Sequence, residues 1–171
     1  MRLIRTLDFM YNFMIKRMFS FSTSVILLFS FNLVFSCPDG WLSHRSSCYH
    51  FSHDKEAWAN AVSLCQVLGG HLVEIEDATE NSYLVSQAKL YSNSYWIGLN
   101  DLQEEGTWVW VNSNTMASFT NWTRGQPDND VKNENCAIIQ KGYNYLWNDG
   151  KCYTALNYIC EKTAENVNIV G

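Results

Sequence analysis

Two neighbouring segments, Gly125-Gln-Pro-Asp-Asn-Asp-Val-Lys-Asn-Glu-Asn-Cys136 and Tyr145-Leu-Trp-Asn-Asp-Gly-Lys-Cys152, decide how this chain is read. They gather five side-chain oxygen donors, Gln126, Asp128, Glu134, Asn148 and Asp149, and two cysteines that could tie the segments together. Oxygen-only ligands suit a hard cation such as Ca²⁺. Three of the five are anionic at neutral pH, slightly more than a divalent ion needs, and neutral hydroxyl ligands still have room. An EF-hand is excluded. Asp128-x-Asp130 begins like one, but Lys132 and Asn133 stand where an Asx ligand and a glycine belong.

Upstream, residues 1–17 carry Arg2, Arg5, Lys16 and Arg17, and an apolar run from Met18 to Phe35 follows. Val34 and Ser36 are small enough for cleavage before Cys37, so 1–36 reads as a signal peptide. Its basic lead is long, and a start at Met14 or Met18 would shorten it. The competing reading is an uncleaved anchor, since the run approaches the ~20 residues that span a bilayer. Ser20, Ser22, Thr23, Ser24, Ser30 and Asn32 dilute that run, and no stalk separates it from Cys37. A secreted, extracellular domain over 37–162 with a flexible tail, 163–171, is the resulting expectation.

All six cysteines follow the cleavage point, and an even count in a small secreted chain implies disulfides. There is no CxxC pair, and no histidine stands at zinc-finger spacing from a cysteine. Cleavage removes four of 12 basic residues and one of 17 acidic ones, leaving eight against sixteen and a net charge of −8. An acidic surface argues against nucleic acid and anionic membranes as partners.

The spacing of Trp58, Ala61, Val62, Cys65 and Leu68 predicts a helix over 55–68, with Asp54 as cap and Gly69-Gly70 as stop. A second helix is predicted over 78–90, with Asp77 and Glu80 as a capping box. Short aromatic-rich strands follow at 95–99, 108–110, 136–139, 145–147 and 158–160. Between Val111 and Asn135 the chain is Asn-, Ser-, Asp- and Gly-rich without periodicity, a length of loop that is usually functional or disordered.

Cys37-Pro-Asp-Gly-Trp41, the helix ending in Cys65, Trp96-Ile-Gly-Leu99, Gln126-Pro-Asp128 and Trp147-Asn-Asp149, in this order with interleaved cysteines, resemble a C-type lectin domain. The resemblance covers 37–162. It implies an α+β fold of two helices flanking small antiparallel sheets, with a long calcium-binding loop region. It also implies three disulfides, Cys37–Cys48, Cys65–Cys160 and Cys136–Cys152, and places Gly98 at a close-packing position of a core strand.

Carried over position by position, the resemblance puts the calcium and carbohydrate ligands on Gln126, Asp128, Glu134, Asn148 and Asp149, with Pro127 as a cis proline. Such a bond is accessible only before proline. An accessory calcium set would use Asp101, Glu105, Asn129, Glu134 and Asn135, where two usual carboxylates are amides and the charge is correspondingly lower. In the family the Gln-Pro-Asp order goes with galactose and N-acetylgalactosamine. Gln126 and Asn148 can donate to a sugar hydroxyl oxygen, and Asp128 and Glu134 can accept a hydroxyl proton. The aromatic that usually stacks on galactose is replaced by Asp130; Tyr143, Tyr145 and Trp122 are the candidates to stand in for it.

The expected function is Ca²⁺-dependent recognition of galactose-type glycans on cell surfaces or microbes, in innate immunity. The alternative is an acidic matrix protein of biomineralisation resembling perlucin, against which stands the lack of long acidic runs. An enzyme is not expected. His44, His50, His53 and His71 lie outside the ligand set, and disulfide-bonded cysteines are not nucleophiles. Single-site sugar affinity is weak, so a homo-oligomer formed through the domain itself would be the source of avidity. Asn121-Trp-Thr123 is the N-glycosylation sequon of the mature chain, with Trp122 expected to pack inward.

Overall fold

The computed structural model describes residues 33–168. The chain divides into a main unit, Phe35–Asn166, and a small one made of its two ends, Met1–Val34 and Val167–Gly171. The basic lead and most of the apolar run therefore lie outside the described residues. Among those described, no helix is long and apolar enough to cross a membrane.

Strand β1 (Leu33–Ser36) pairs with β10 (Glu165–Asn168) in a two-stranded sheet. The segment expected to fray thus holds strand as far as Asn168, with the final three residues outside the described part. Between these ends run β2 (Leu42–His44), β3 (Ser47–Phe51), α1 (Trp58–Val67), β4 (His71–Leu72) and α2 (Ala78–Tyr91). Then come β5 (Tyr95–Asn100), β6 (Val109–Trp110), β7 (Cys136–Gln140), β8 (Leu146–Gly150) and β9 (Asn157–Thr163).

In place of several small antiparallel sheets there is one mixed eight-stranded sheet, ordered β2-β3-β9-β5-β7-β8, with β4 on β9 and β6 on β5. The parallel pair is β5 with β9. It explains why β5, paired on both sides and covered on both faces, is buried at all six residues.

Helix α1 starts later than its periodicity suggests, and Asp54 is not its cap. Glu56 exchanges backbone hydrogen bonds with Leu156, which holds the preceding residues extended, and the N-cap is Ala57. The Asp54 carboxylate instead accepts from the Tyr158 hydroxyl. The stop is as expected: Gly69 N–H bonds Gln66 O and Gly70 N–H bonds Cys65 O, with Gly69 at φ +76°.

Helix α2 has its Asp77 cap, which accepts from the N–H groups of Thr79 and Glu80. The Glu80 side chain reaches one residue beyond the capping-box position, to Glu76 N–H at 2.8 Å, because its other oxygen is held by the Tyr49 hydroxyl at 2.6 Å.

Two apolar clusters fill the domain. One joins Val73, Ile75 and Leu84 to Ile97, Leu99, Ile139 and Trp147; the other joins Trp58 and Leu72 to Trp96, Ile138 and Tyr158. Trp58 Nε1 donates to Ile97 O and Trp96 Nε1 to Glu56 O, so both indoles are buried without an orphaned donor. A Cβ on Gly98 would lie 2.9 Å from Leu72 O, which is why this strand position holds glycine. All three expected disulfides are formed.

Candidate metal centre

The site is built on the end of β8, which continues past Trp147 to carry Asn148 and Asp149. The β7–β8 register sets Asp149 opposite Ala137, and the Asp149 side chain is fully buried. The long loop is moored to this strand. Trp147 N–H donates to Asn121 O, Thr123 N–H donates to Trp147 O, and Phe119 and Trp122 pack edge-on against the Trp147 ring. Trp147 is itself fixed by Asn81, which accepts from its Nε1 at 2.9 Å. These aromatic anchors order a segment whose polar composition reads as loose loop.

Beyond Trp122 the chain turns through a cis Gln126–Pro127 bond, as expected. Asp149 then acts as a hub: its carboxylate accepts from Asn129 N–H at 2.7 Å and Asp128 N–H at 3.3 Å. Gln126 Oε1 also accepts from Asp128 N–H. Carboxylate oxygens of Asp128, Glu134 and Asp149 lie within 4.8 Å of one another. Among the described residues the ion pair present is Arg45–Asp77, so none of these three carboxylates has a cationic side chain within salt-bridge distance.

Such a cluster raises its own proton affinity. Burial is the leading cause that lifts Asp149 above the usual carboxylate range, and the Asp128 charge adds to it. Burial also lifts Glu134, with Asp149 and Asp130 adding repulsion. Asn148 Oδ1 is buried and has no hydrogen-bond partner, while its Nδ2 rests on Asp149 O. An orphaned buried oxygen beside three carboxylates without an ion-pair partner is a donor set that fits Ca²⁺.

The accessory set is less coherent. Asp101 is buried, accepts from Gly106 N–H with Oδ2, and leaves Oδ1 without a partner. Burial raises its pKa as well. Yet among the described residues the converging carboxylate trio is Asp128, Glu134 and Asp149; Asp101 and Glu105 do not join it.

Of the three candidate stacking aromatics, none lies open beside the ligands. Trp122 packs inward on Trp108 and Trp147, and Tyr145 is buried. Tyr143 is exposed but sits in the turn Lys141–Tyr143, at the end of the β7–β8 hairpin away from Asn148. A cavity of about 340 Å³, lined by Arg45, Ser47, Tyr49, His71, Glu80 and Glu161 among others, shares no residue with the five ligands.

The fold is that of C-type lectin carbohydrate-recognition domains. The chain belongs to the C-type lectin family, whose Lectin C-type domain profile matches residues 54–162. It is 43% identical over 129 residues to a perlucin-like protein of Mytilus galloprovincialis, covering 73% of this chain and 82% of that one. It is similar in structure to the mouse scavenger receptor C-type lectin carbohydrate-recognition domain, with a TM-score of 0.71 and 36% identity over 77% of this chain and 99% of that one. The cow CD23 carbohydrate-recognition domain, solved in the presence of a GlcNAc2Man3 oligosaccharide, gives a TM-score of 0.70 and 32% identity, covering 77% and 99%. The family binds carbohydrate and is not enzymatic.

Proposed function

We propose that this chain is a secreted, Ca²⁺-dependent lectin for galactose-type sugars on cell-surface or microbial glycans, acting in innate immunity. The observation that carries the reading is the converging trio Asp128, Glu134 and Asp149, without an ion-pair partner, beside the orphaned Asn148 oxygen. Bound there, Ca²⁺ would supply coordination positions for two neighbouring sugar hydroxyls. Asp128 and Glu134 accept the protons of those hydroxyls, and the amides of Gln126 and Asn148 donate to their oxygens. The amide-then-acid order around Pro127 favours galactose and N-acetylgalactosamine. None of Tyr143, Tyr145 and Trp122 offers an open stacking face beside the ligands, and single-site affinity is low. Retention on an immobilised galactose matrix in calcium, with release by chelator, is the expected result; retention that survives chelation would sink the proposal.

Acid should work against the metal. Asp149 and Glu134 have folded-state proton affinities above those of an unfolded carboxylate, so in the metal-free protein their ionisation costs stability as pH rises through their folded values. Metal-free protein should therefore gain from these groups on acidification. The calcium-bound form requires both deprotonated, and its advantage should shrink over the same interval. The rise in Tm on adding calcium is expected to shrink as pH falls through the raised folded values of these two groups. A calcium-induced rise that stays constant as the protein is acidified would contradict the ligand assignment.

The likeness to the perlucin-like protein of Mytilus galloprovincialis favours a second reading, an acidic extracellular matrix protein of biomineralisation. Adsorption to calcium carbonate that free galactose does not compete away would support it.

A further inference from the structure

The accessory calcium set implied by the family resemblance does not fit this chain, and we infer that the Asn129 side chain takes that cation's place as a hydrogen-bonded latch between two loops. Asn129 sits in the left-handed region, at φ +46°, a conformation asparagine tolerates. Its N–H is held by Asp149, which fixes where the side chain begins. From there Oδ1 accepts from Glu134 N–H at 3.0 Å and Nδ2 donates to Glu105 Oε2.

Both partners are single-minded. A backbone N–H can only donate and an ionised carboxylate can only accept, so the amide has one satisfactory orientation. A cation beside Glu105 would need an oxygen where Nδ2 stands. Turning the amide over to supply one would press Nδ2 against the Glu134 N–H, donor against donor. Asn135 brings no charge either, and Asp101 Oδ2 is already held by the Gly106 N–H, which leaves Asp101 one unpartnered oxygen to offer a cation. The latch joins the 101–106 loop to the 126–134 loop, which carries Gln126, Asp128 and Glu134. Three of the five main-site residues are thereby ordered without a second ion.

The latch is independent of the calcium reading of the main site; only the ion count rests on it. Two variants separate the possibilities in the full-length protein. Asn129→Gly removes the side chain and keeps the left-handed backbone; Asn129→Asp puts an oxygen where the donor stood. In chelator, amide exchange at Glu134 and around Gly106 should speed up at least ~10-fold in Asn129→Gly while β5 stays protected. Calorimetric calcium titration should give one ion for wild type and two for Asn129→Asp. Unchanged exchange in Asn129→Gly, or two ions on wild type, would overturn the latch. No ion on wild type would defeat the calcium reading, and the exchange result would then decide the latch by itself.

Discussion

Asp149→Asn is expected to abolish calcium-dependent sugar retention while leaving the domain folded. Asp149 is the hub of the site: its two oxygens receive the N–H groups of Asp128 and Asn129, and it is one of three converging carboxylates. The amide keeps one oxygen but presents an NH₂ to a backbone N–H, so one loop anchor is lost along with one unit of charge. Exchange of a ligand carboxylate should cost more than the ~10–100-fold typical of groups that only support a metal ligand. Calorimetric calcium titration and retention on a galactose matrix read the two effects separately. The metal-free variant gains relief from repulsion against its lost hydrogen bond, so its unfolding midpoint in chelator should move little. Wild-type calcium affinity in this variant would remove Asp149 from the site.

The Cys65→Ala/Cys160→Ala double variant should show the largest loss of stability. The bridge joins α1 to β9 across a sequence separation of 95, and both cysteines are fully buried beside Trp58, Leu72 and Trp96. In the loop-entropy account a closure of this length contributes about 4–5 kcal/mol. Small domains commonly hold only about 5–15 kcal/mol in total, so the variant should be close to unfolding in water. Urea unfolding followed by tryptophan fluorescence checks this. Opening Cys136–Cys152, with a separation of 16, should cost about 3 kcal/mol. That bridge also clamps the two segments bearing Glu134 and Asp149, so its loss should weaken calcium binding more than the longer bridge does per kcal/mol of stability. Equal binding in both disulfide variants would show that the clamp plays no part in the site.

The convergence of Asp128, Glu134 and Asp149 is legible because the chemistry of the proposed ligands is carried by residue type and order: acids and amides flank a proline, with cysteines beside them. The strand that carries Asp149 is less so. The aromatic pattern predicts a strand only over 145–147, yet β8 runs on to Gly150, because pairing with β7 overrides the turn preference of Asn148 and Asp149. Asp54 misled for a similar reason. An acidic residue before an apolar period looks like a cap, but the Glu56–Leu156 bridge claims the backbone first and Tyr158 claims the carboxylate. The parallel β5–β9 pair, made of residues some sixty apart, has no local signature at all. Asn129 was legible only as a weakened ligand. Its role in joining Glu105 to Glu134 depends on which way an amide points, and that is set by tertiary partners rather than by neighbours in sequence.

With Trp122 and Tyr145 committed to the interior and Tyr143 at the far end of its hairpin, none of the three offers a stacking face, and the proposed site selects its sugar by hydroxyl geometry. Binding should then tolerate substitution on the sugar's apolar face better than inversion of a ligated hydroxyl. The most direct test is a glycan-array screen of the folded domain with calcium and again with chelator. Calcium-dependent signal concentrated on terminal galactose and N-acetylgalactosamine, and lost in chelator, is the predicted result; the same glycans bound equally in chelator would contradict a calcium-borne sugar site.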